Sequence, residues 1–403
     1  MIFDTNILNS TPTFPIKVAT LSACIAFLLG LSFLLTNDLI SNDTSSAYQV
    51  GYRNGFSAET HAYCHASISP PQASQASMPP GKPKSLVKIV VLARHGDRSG
   101  IHELPGASQA HWSCALSNGS AQAMEHAELN FQVRDISSAR ILERSMYPEI
   151  ESMYSGDEKW CKPGQLTDQG MAQHRSLGGQ LHLLYKDFIE EHLTSPEKVF
   201  IRSTDYPRTL QSAASFLSTF LPEKLTSLLS AADKKINIWT TEDFNSEIMH
   251  GVGIKHESTR YSDKVLAQAW QCDEAIALAN KQRQYFENTT MLSGKSMIMH
   301  QLESFFGNDI RSMKITDATD PIHARICHRL PLPCSPKGCV DPTMASDMIS
   351  KSHAMYCGRY SGAQGGERAT KLAMKPFLDK LLDDIMGALE GEAGPSVPLY
   401  GEG

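Results

Sequence analysis

Residues 86–98 read Leu-Val-Lys-Ile-Val-Val-Leu-Ala-Arg-His-Gly-Asp-Arg. The mostly apolar, β-branched stretch 86–92 has the length and composition of a buried strand, and the chain then turns polar at Arg94-His95-Gly96-Asp97-Arg98. In open α/β sheets ligands bind at the carboxyl ends of the strands, so two arginines flanking a histidine there mark an anion site. Guanidinium forks match phosphate oxygens, and an imidazole between two of them faces whatever they hold. A loop that is merely basic is the bland alternative. A second arginine cluster, Arg202 and Arg208, weighs against it, because it too follows a short apolar run, Lys198-Val199-Phe200-Ile201.

Helical signals lie between and beyond these strands. Gly164-Gln165-Leu166-Thr167-Asp168 opens a long helical pattern, with Thr167 suited to the N-cap and Asp168 to the first turn. Met171, Leu177, Leu181, Leu184, Phe188 and Ile189 recur after it at roughly helical spacing. Pro207 suits the first turn of a helix after the second arginine strand. Residues 367–389 form an amphipathic helix with Leu372, Phe377, Leu378, Leu381, Leu382 and Ile385 as its stripe. Strands alternating with helices predict an α/β fold. Two irregular stretches, about 105–160 and 225–345, read as cap insertions, the second braced by disulfides.

A chain of 403 residues holds one large α/β domain or two small ones. Net charge is −6 with 20% charged residues, so no basic stripe exists to neutralise a polynucleotide; nucleic acid is excluded as a partner. A small phosphorylated substrate needs only a few focused positive charges.

Residues 18–35 carry no charge and are long enough to span a bilayer as a helix. A cleaved signal peptide is the rival, but its apolar core is normally about 7–15 residues. Lys17 before the run and Asp38 after it favour a cytoplasmic N-terminus. The expected plan is a cytoplasmic tail (1–17), a signal-anchor (18–35), a Ser- and Pro-rich stem (36–84) and a lumenal body (85–403). Eight of the nine cysteines lie outside the apolar run, an even number as disulfides require, and their pairing is open. Zinc is the rival reading, but Cys334 and Cys339 are the one pair with C-x2–4-C spacing and no second such pair accompanies them. Asn42, Asn118 and Asn288 head N-x-[ST] sequons.

Taken together, Arg94-His95-Gly96-Asp97-Arg98, residues 164–171 and residues 202–212 resemble, in order, the signature segments of the histidine acid phosphatases. The resemblance covers about residues 85–400. It implies a phosphoglycerate-mutase-like doubly wound sheet and a two-step hydrolysis of phosphomonoesters. His95 is then the nucleophile that becomes a phosphohistidine, and Arg94, Arg98 and Arg202 hold the phosphoryl oxygens. No metal or other cofactor is implied, because the arginines take the place of a divalent cation. Read from the residues alone, Arg202 could instead pair locally with Asp205, Arg208 is assigned a structural role at the helix start, and Asp97 is assigned no catalysis. Gly294-Lys295-Ser296 is half a P-loop, but Thr289 stands where the first glycine belongs.

One departure matters. The family's proton donor belongs to a His-Asp pair near the C-terminus, just after a strand, and this chain has no His-Asp dipeptide among its 15 histidines. Residues 399–403 resemble the lead-in to that pair, and Glu402 is a poorly held substitute. The expectation is a body lacking its last core strands, with little activity and poor folding by itself. Within the family, the anchor, the stem and the Cys327, Cys334, Cys339 loop resemble the 2-phosphoxylose phosphatases of the Golgi, type II membrane proteins that act on the glycosaminoglycan–protein linkage region. A broad-specificity acid phosphatase and a non-catalytic module that captures anionic glycans are the alternatives. A glycosyltransferase would fit the topology but leaves both arginine segments unexplained. Oligomeric state is not encoded in any pattern found.

Overall fold

The computed structural model describes residues 2–6, 86–108, 110, 112–114, 131–136, 138–142, 161, 163–231, 235–240, 273–289, 292–361 and 365–390. All of these belong to one compact unit, Met1–Asn9 with Ile68–Gly403; a second unit, Ser10–Ser67, lies outside the described residues. The apolar run 18–35 and the stem are therefore not described. Among the described residues no helix is long and apolar enough to cross a membrane.

The core is a five-stranded sheet. Its strands are β1 (Ile2–Asn6), β2 (Lys88–Leu92), β3 (Phe131–Asp135), β4 (Val199–Arg202) and β5 (Ile236–Thr240), in the spatial order β2-β1-β4-β5-β3. β1 is antiparallel to both of its neighbours, while β4, β5 and β3 run parallel. It follows that β2 and β4 point the same way. Their last residues are level, because Leu92 and Arg202 both sit opposite Ile2. Two strand spacings separate them, about 10 Å. Both arginine loops thus leave the same edge of the sheet side by side.

Every helix signal in the sequence has its counterpart. α1 (Asp168–Leu184) starts at an N-cap Thr167, whose Oγ1 accepts the Gly170 N–H at 3.1 Å. α2 (Lys186–His192) continues from it, and α3 (Pro207–Phe220) carries Pro207 in its first turn. α4 (Glu223–Ala231) follows directly. The sheet and α2–α4 share one apolar core, in which Ile201, Phe216, Leu217, Phe220, Leu225 and Ile236 are fully buried. Each such side chain contributes about 1.5–3 kcal/mol by leaving water. Among the described residues the rest of the body is mostly helical: α5 (Asp273–Thr289), α6 (Leu292–Phe306), α7 (Ile315–Cys327), α8 (Pro342–Ser361) and α9 (Gly366–Glu390). Disulfides join Cys114 to Cys161 and Cys334 to Cys339.

The structure differs from expectation in three places. β3 and β5 fall inside the stretches read as cap insertions, yet both are parallel strands of the central sheet. In β5 the alternation Ile236, Ile238, Thr240 faces the core, a signal only five residues long and easily lost in an irregular region. Residues 2–6 were expected on the cytoplasmic side. They pair with β2 and β4 in the sheet. Finally, the apolar stripe of α9 is covered only in its first half: Phe377 is buried, whereas Leu382, Ile385 and Leu389 are exposed.

Candidate active site

The loop after β2 is held from below by α1. The N–H of Asp97 donates to Gln173 Oε1 at 2.9 Å, and the carbonyl of Asp97 accepts the Thr167 N–H at 3.0 Å. The Thr167 hydroxyl lies 2.5 Å from Asp97 Oδ2. The His174 ring donates to the Arg94 carbonyl at 3.0 Å; burial pushes this histidine down to about 4, which keeps it neutral. Loop and helix approach closely enough to forbid side chains at two positions. A Cβ on Gly96 would lie 2.4 Å from the Gly170 carbonyl oxygen, and one on Gly170 would lie 2.2 Å from that of Asp97. Gly170→Ala is therefore expected to cost about 1–3 kcal/mol through overpacking. Gly179→Ala on the same helix, where the nearest atom is 3.9 Å away, is the control and should be tolerated. Thermal unfolding of both variants checks this; equal midpoints would refute the close approach.

From above, the loop is tied to α3. The Gly96 N–H donates to Ser212 Oγ at 3.0 Å, and that hydroxyl donates to the Arg208 carbonyl at 2.7 Å. Arg208 precedes Ser212 by one turn, so it occupies the same face of α3, toward His95. Its guanidinium stands 4.6 Å from the centre of the Tyr206 ring, a cation–π contact. It also reaches the Gly164 turn, where an added Cβ would be 3.5 Å from Nη1.

His95 sits between these supports. Its Nδ1–H donates to the Gly96 carbonyl at 2.7 Å, which leaves Nε2 as the ring's lone-pair nitrogen. Burial drives its pKa down to about 3; the bond to Gly96 opposes this, and Arg94, Arg208 and Arg98 push the same way as burial. A neutral imidazole held beside three guanidiniums has the electronic character of a nucleophile poised for an anion.

The three arginines are placed differently. Arg94 is exposed at the loop's surface. Arg98 turns toward α7, where Nη2 donates to Asp320 Oδ1 at 2.8 Å and Nη1 donates to the Ser99 carbonyl at 2.9 Å. Asp320 also accepts the Ile101 N–H at 2.5 Å and the His102 N–H at 3.2 Å. Burial raises its carboxyl, but Arg98 and these two N–H groups outweigh burial and hold it below the usual range. Arg202, expected among the phosphate-holding groups, is the last residue of β4 and is 4% exposed.

Arg208, assigned a structural role from the sequence, is thus also among the cations that act on His95. The signal was present in the sequence: Arg208 and Ser212 are one turn apart in a helix that starts at Pro207. No local pattern pointed to Asp320 or His174, whose roles come from distant elements packing together.

Comparison with known proteins agrees with this geometry. The model of the histidine phosphatase superfamily (branch 2) matches residues 85–313, more than half of the chain. The chain belongs to that superfamily. Its α/β fold, with a largely parallel sheet and the histidine at a strand's carboxyl end, is that of a branch 2 histidine phosphatase. Similar proteins include counting factor 60 of Dictyostelium discoideum, 24% identical over 82% of this chain and 70% of that protein. The 2-phosphoxylose phosphatase 1 of Xenopus tropicalis is 24% identical over 85% of this chain. The match takes in 62% of that protein, so the chain spans less than two thirds of its length. Lysosomal acid phosphatase of Rattus norvegicus is 30% identical over 36% of this chain and 23% of its own length.

Proposed function

We propose that this chain hydrolyses phosphomonoesters through a phosphohistidine on His95. The observation that carries this is the neutral Nε2 of His95 held among Arg94, Arg208 and Arg98. In the first step Nε2 attacks phosphorus, the ester P–O bond breaks, and the leaving oxygen departs with the bonding pair and takes its proton from solvent water. Water then cleaves the P–N bond, releasing phosphate and restoring the imidazole. Arg94 and Arg208 face the oxygens that gain charge, and Arg98, braced by Asp320, supplies positive potential from the other side. Arg202, at the end of β4, is proposed with them as a phosphate-holding group. No cofactor enters these steps.

Leaving-group chemistry tests the missing His-Asp pair. An aryl phosphate expels a phenolate that needs little protonation, whereas an alkyl ester needs an acid. Without a positioned acid, p-nitrophenyl phosphate is expected to phosphorylate His95 while alkyl phosphates react far more slowly. Rapid-quench isolation of the phosphoenzyme is the measurement. Equal rates on both esters would mean that an acid is in place.

The pH dependence follows from His95. Its pKa is lowered, so the ring is neutral, and nucleophilic, from about pH 4 upward, whereas an ordinary histidine is mostly protonated below 6.5. Ring 15N shifts of His95, assigned by their loss in His95→Asn, should keep the neutral Nδ1–H pattern down to about pH 4. A midpoint near 6.5 would contradict the proposal.

For the substrate we favour a 2-phosphoxylose unit of the glycosaminoglycan–protein linkage, supported by the match to the Xenopus tropicalis protein over 85% of the chain. Broad specificity is the second reading, favoured by the 30% identity to lysosomal acid phosphatase. Relative kcat/KM on xylose 2-phosphate and glycerol phosphate separates them. The Cys114–Cys161 and Cys334–Cys339 disulfides support an oxidising compartment, the lumen of the secretory pathway, and the likeness to 2-phosphoxylose phosphatase 1 is the ground for proposing the Golgi within it. The apolar run 18–35 supports attachment to a membrane there.

A further inference from the structure

The carboxylate of Asp97, two residues after His95, is gripped from a distant part of the chain. His328 Nε2 lies 2.5 Å from Asp97 Oδ2, across 231 residues of sequence. Both side chains are largely buried, 12% and 16% exposed. His328 is the C-cap residue of α7, and its ring stands edge-on to Trp112 with centroids 5.2 Å apart. Trp112 is itself buried next to the Cys114–Cys161 disulfide. That packing fixes the plane of the imidazole and so the direction of its Nε2–H.

α7 therefore holds the anion loop at two points. Asp320 grips Arg98 and the backbone of residues 101 and 102; about two turns later His328 grips Asp97. Asp97 is fully committed to this framework, with its N–H on Gln173, its carbonyl on Thr167 and its carboxylate shared by Thr167 and His328. Because Gly96 is the only residue between Asp97 and His95, the orientation of the His95 ring is set by where Asp97 is pinned.

We propose that His328 is a positioning residue for the phosphoryl-transfer site: through Asp97 it fixes the turn that aims His95 Nε2 at the bound phosphoryl group. It touches neither substrate nor the reacting nitrogen. Misplacing a nucleophile by about 1 Å costs on the order of a hundredfold in rate while leaving substrate affinity nearly intact. The proposal rests on the phosphohistidine reading for its kinetic arm only.

The test uses the full chain. With p-nitrophenyl phosphate, His328→Ala is expected to lower kcat by about 10- to 100-fold with KM changed less than about threefold. His328→Gln, which keeps an N–H for Asp97, should recover most of the loss. Because both residues act through one contact, His328→Ala combined with Asp97→Asn should be no slower than the worse single variant. A kcat within about twofold of the parent in His328→Ala, or losses that multiply in the double variant, would overturn the proposal. Should the alanine variant fail to fold, His328→Gln against the similarly sized His328→Met makes the same comparison, and equal rates would overturn it.

Orthovanadate binding, measured by calorimetry, reads the placement of His95 independently of turnover. His328→Ala should weaken it about tenfold relative to the parent chain, and unchanged affinity counts against the proposal. If the parent binds vanadate in a His328-dependent way yet turns over no ester, the phosphatase reading fails and this one stands.

Discussion

His95→Ala is expected to remove phosphoenzyme formation altogether and to lower turnover of p-nitrophenyl phosphate by on the order of 10⁴-fold or more, the scale seen when a covalent nucleophile is deleted. The magnitude follows from the mechanism: without Nε2 there is no acceptor for the phosphoryl group, and the arginines alone can only bind. The fold should survive. His95 bonds through Nδ1 to the adjacent Gly96 carbonyl, while the links to α1 and α3 run through Arg94, Gly96 and Asp97. Thermal unfolding close to the parent, together with retained binding of inorganic phosphate, would mark the loss as chemical. Residual acid-labile phosphate on the protein after His95→Ala would sink the assignment. Phosphate capture unchanged in both, with no turnover in the parent, would favour the anion-binding alternative.

Arg208→Ala is the second large effect. A donor aimed at developing charge on a transferred group is worth about 10²–10³ in kcat when removed. Arg208 stands one turn from Ser212, which bonds the Gly96 N–H, so its guanidinium is carried to the site by the same helix that fixes the loop. Arg208→Lys should restore little, because a point charge cannot present a planar fork to two oxygens. Arg202→Ala should behave differently. Its side chain is buried at the end of β4, so the unfolding midpoint is expected to fall along with activity. Measuring kcat/KM and unfolding midpoints for both variants separates them. An unchanged midpoint in Arg202→Ala would contradict this expectation.

The sequence by itself determined a good deal. A β-branched run ending at Arg94-His95-Gly96 fixes a buried strand and the polarity change at its carboxyl end, because both depend on adjacent residues. Thr167 and Pro207 locate two helix starts by capping chemistry that acts over three or four residues. Even the glycine at 170 lies in a segment legible from its motif. Three strands were not legible. β3 and β5 are five-residue elements in irregular surroundings, and β1 joins the sheet from a part of the chain that composition assigned to the far side of a membrane.

Only the tertiary structure decided which charges meet. That Arg208 acts on His95 depends on the strand-to-helix turn after β4, which starts α3 with its Arg208 and Ser212 face toward the loop. That Asp320 and His328 hold Arg98 and Asp97 depends on α7, more than 200 residues away, packing over the loop. Burial and neighbouring charge, which turn His95 from an ordinary imidazole into a neutral one, are properties of that packed environment and of no segment read alone.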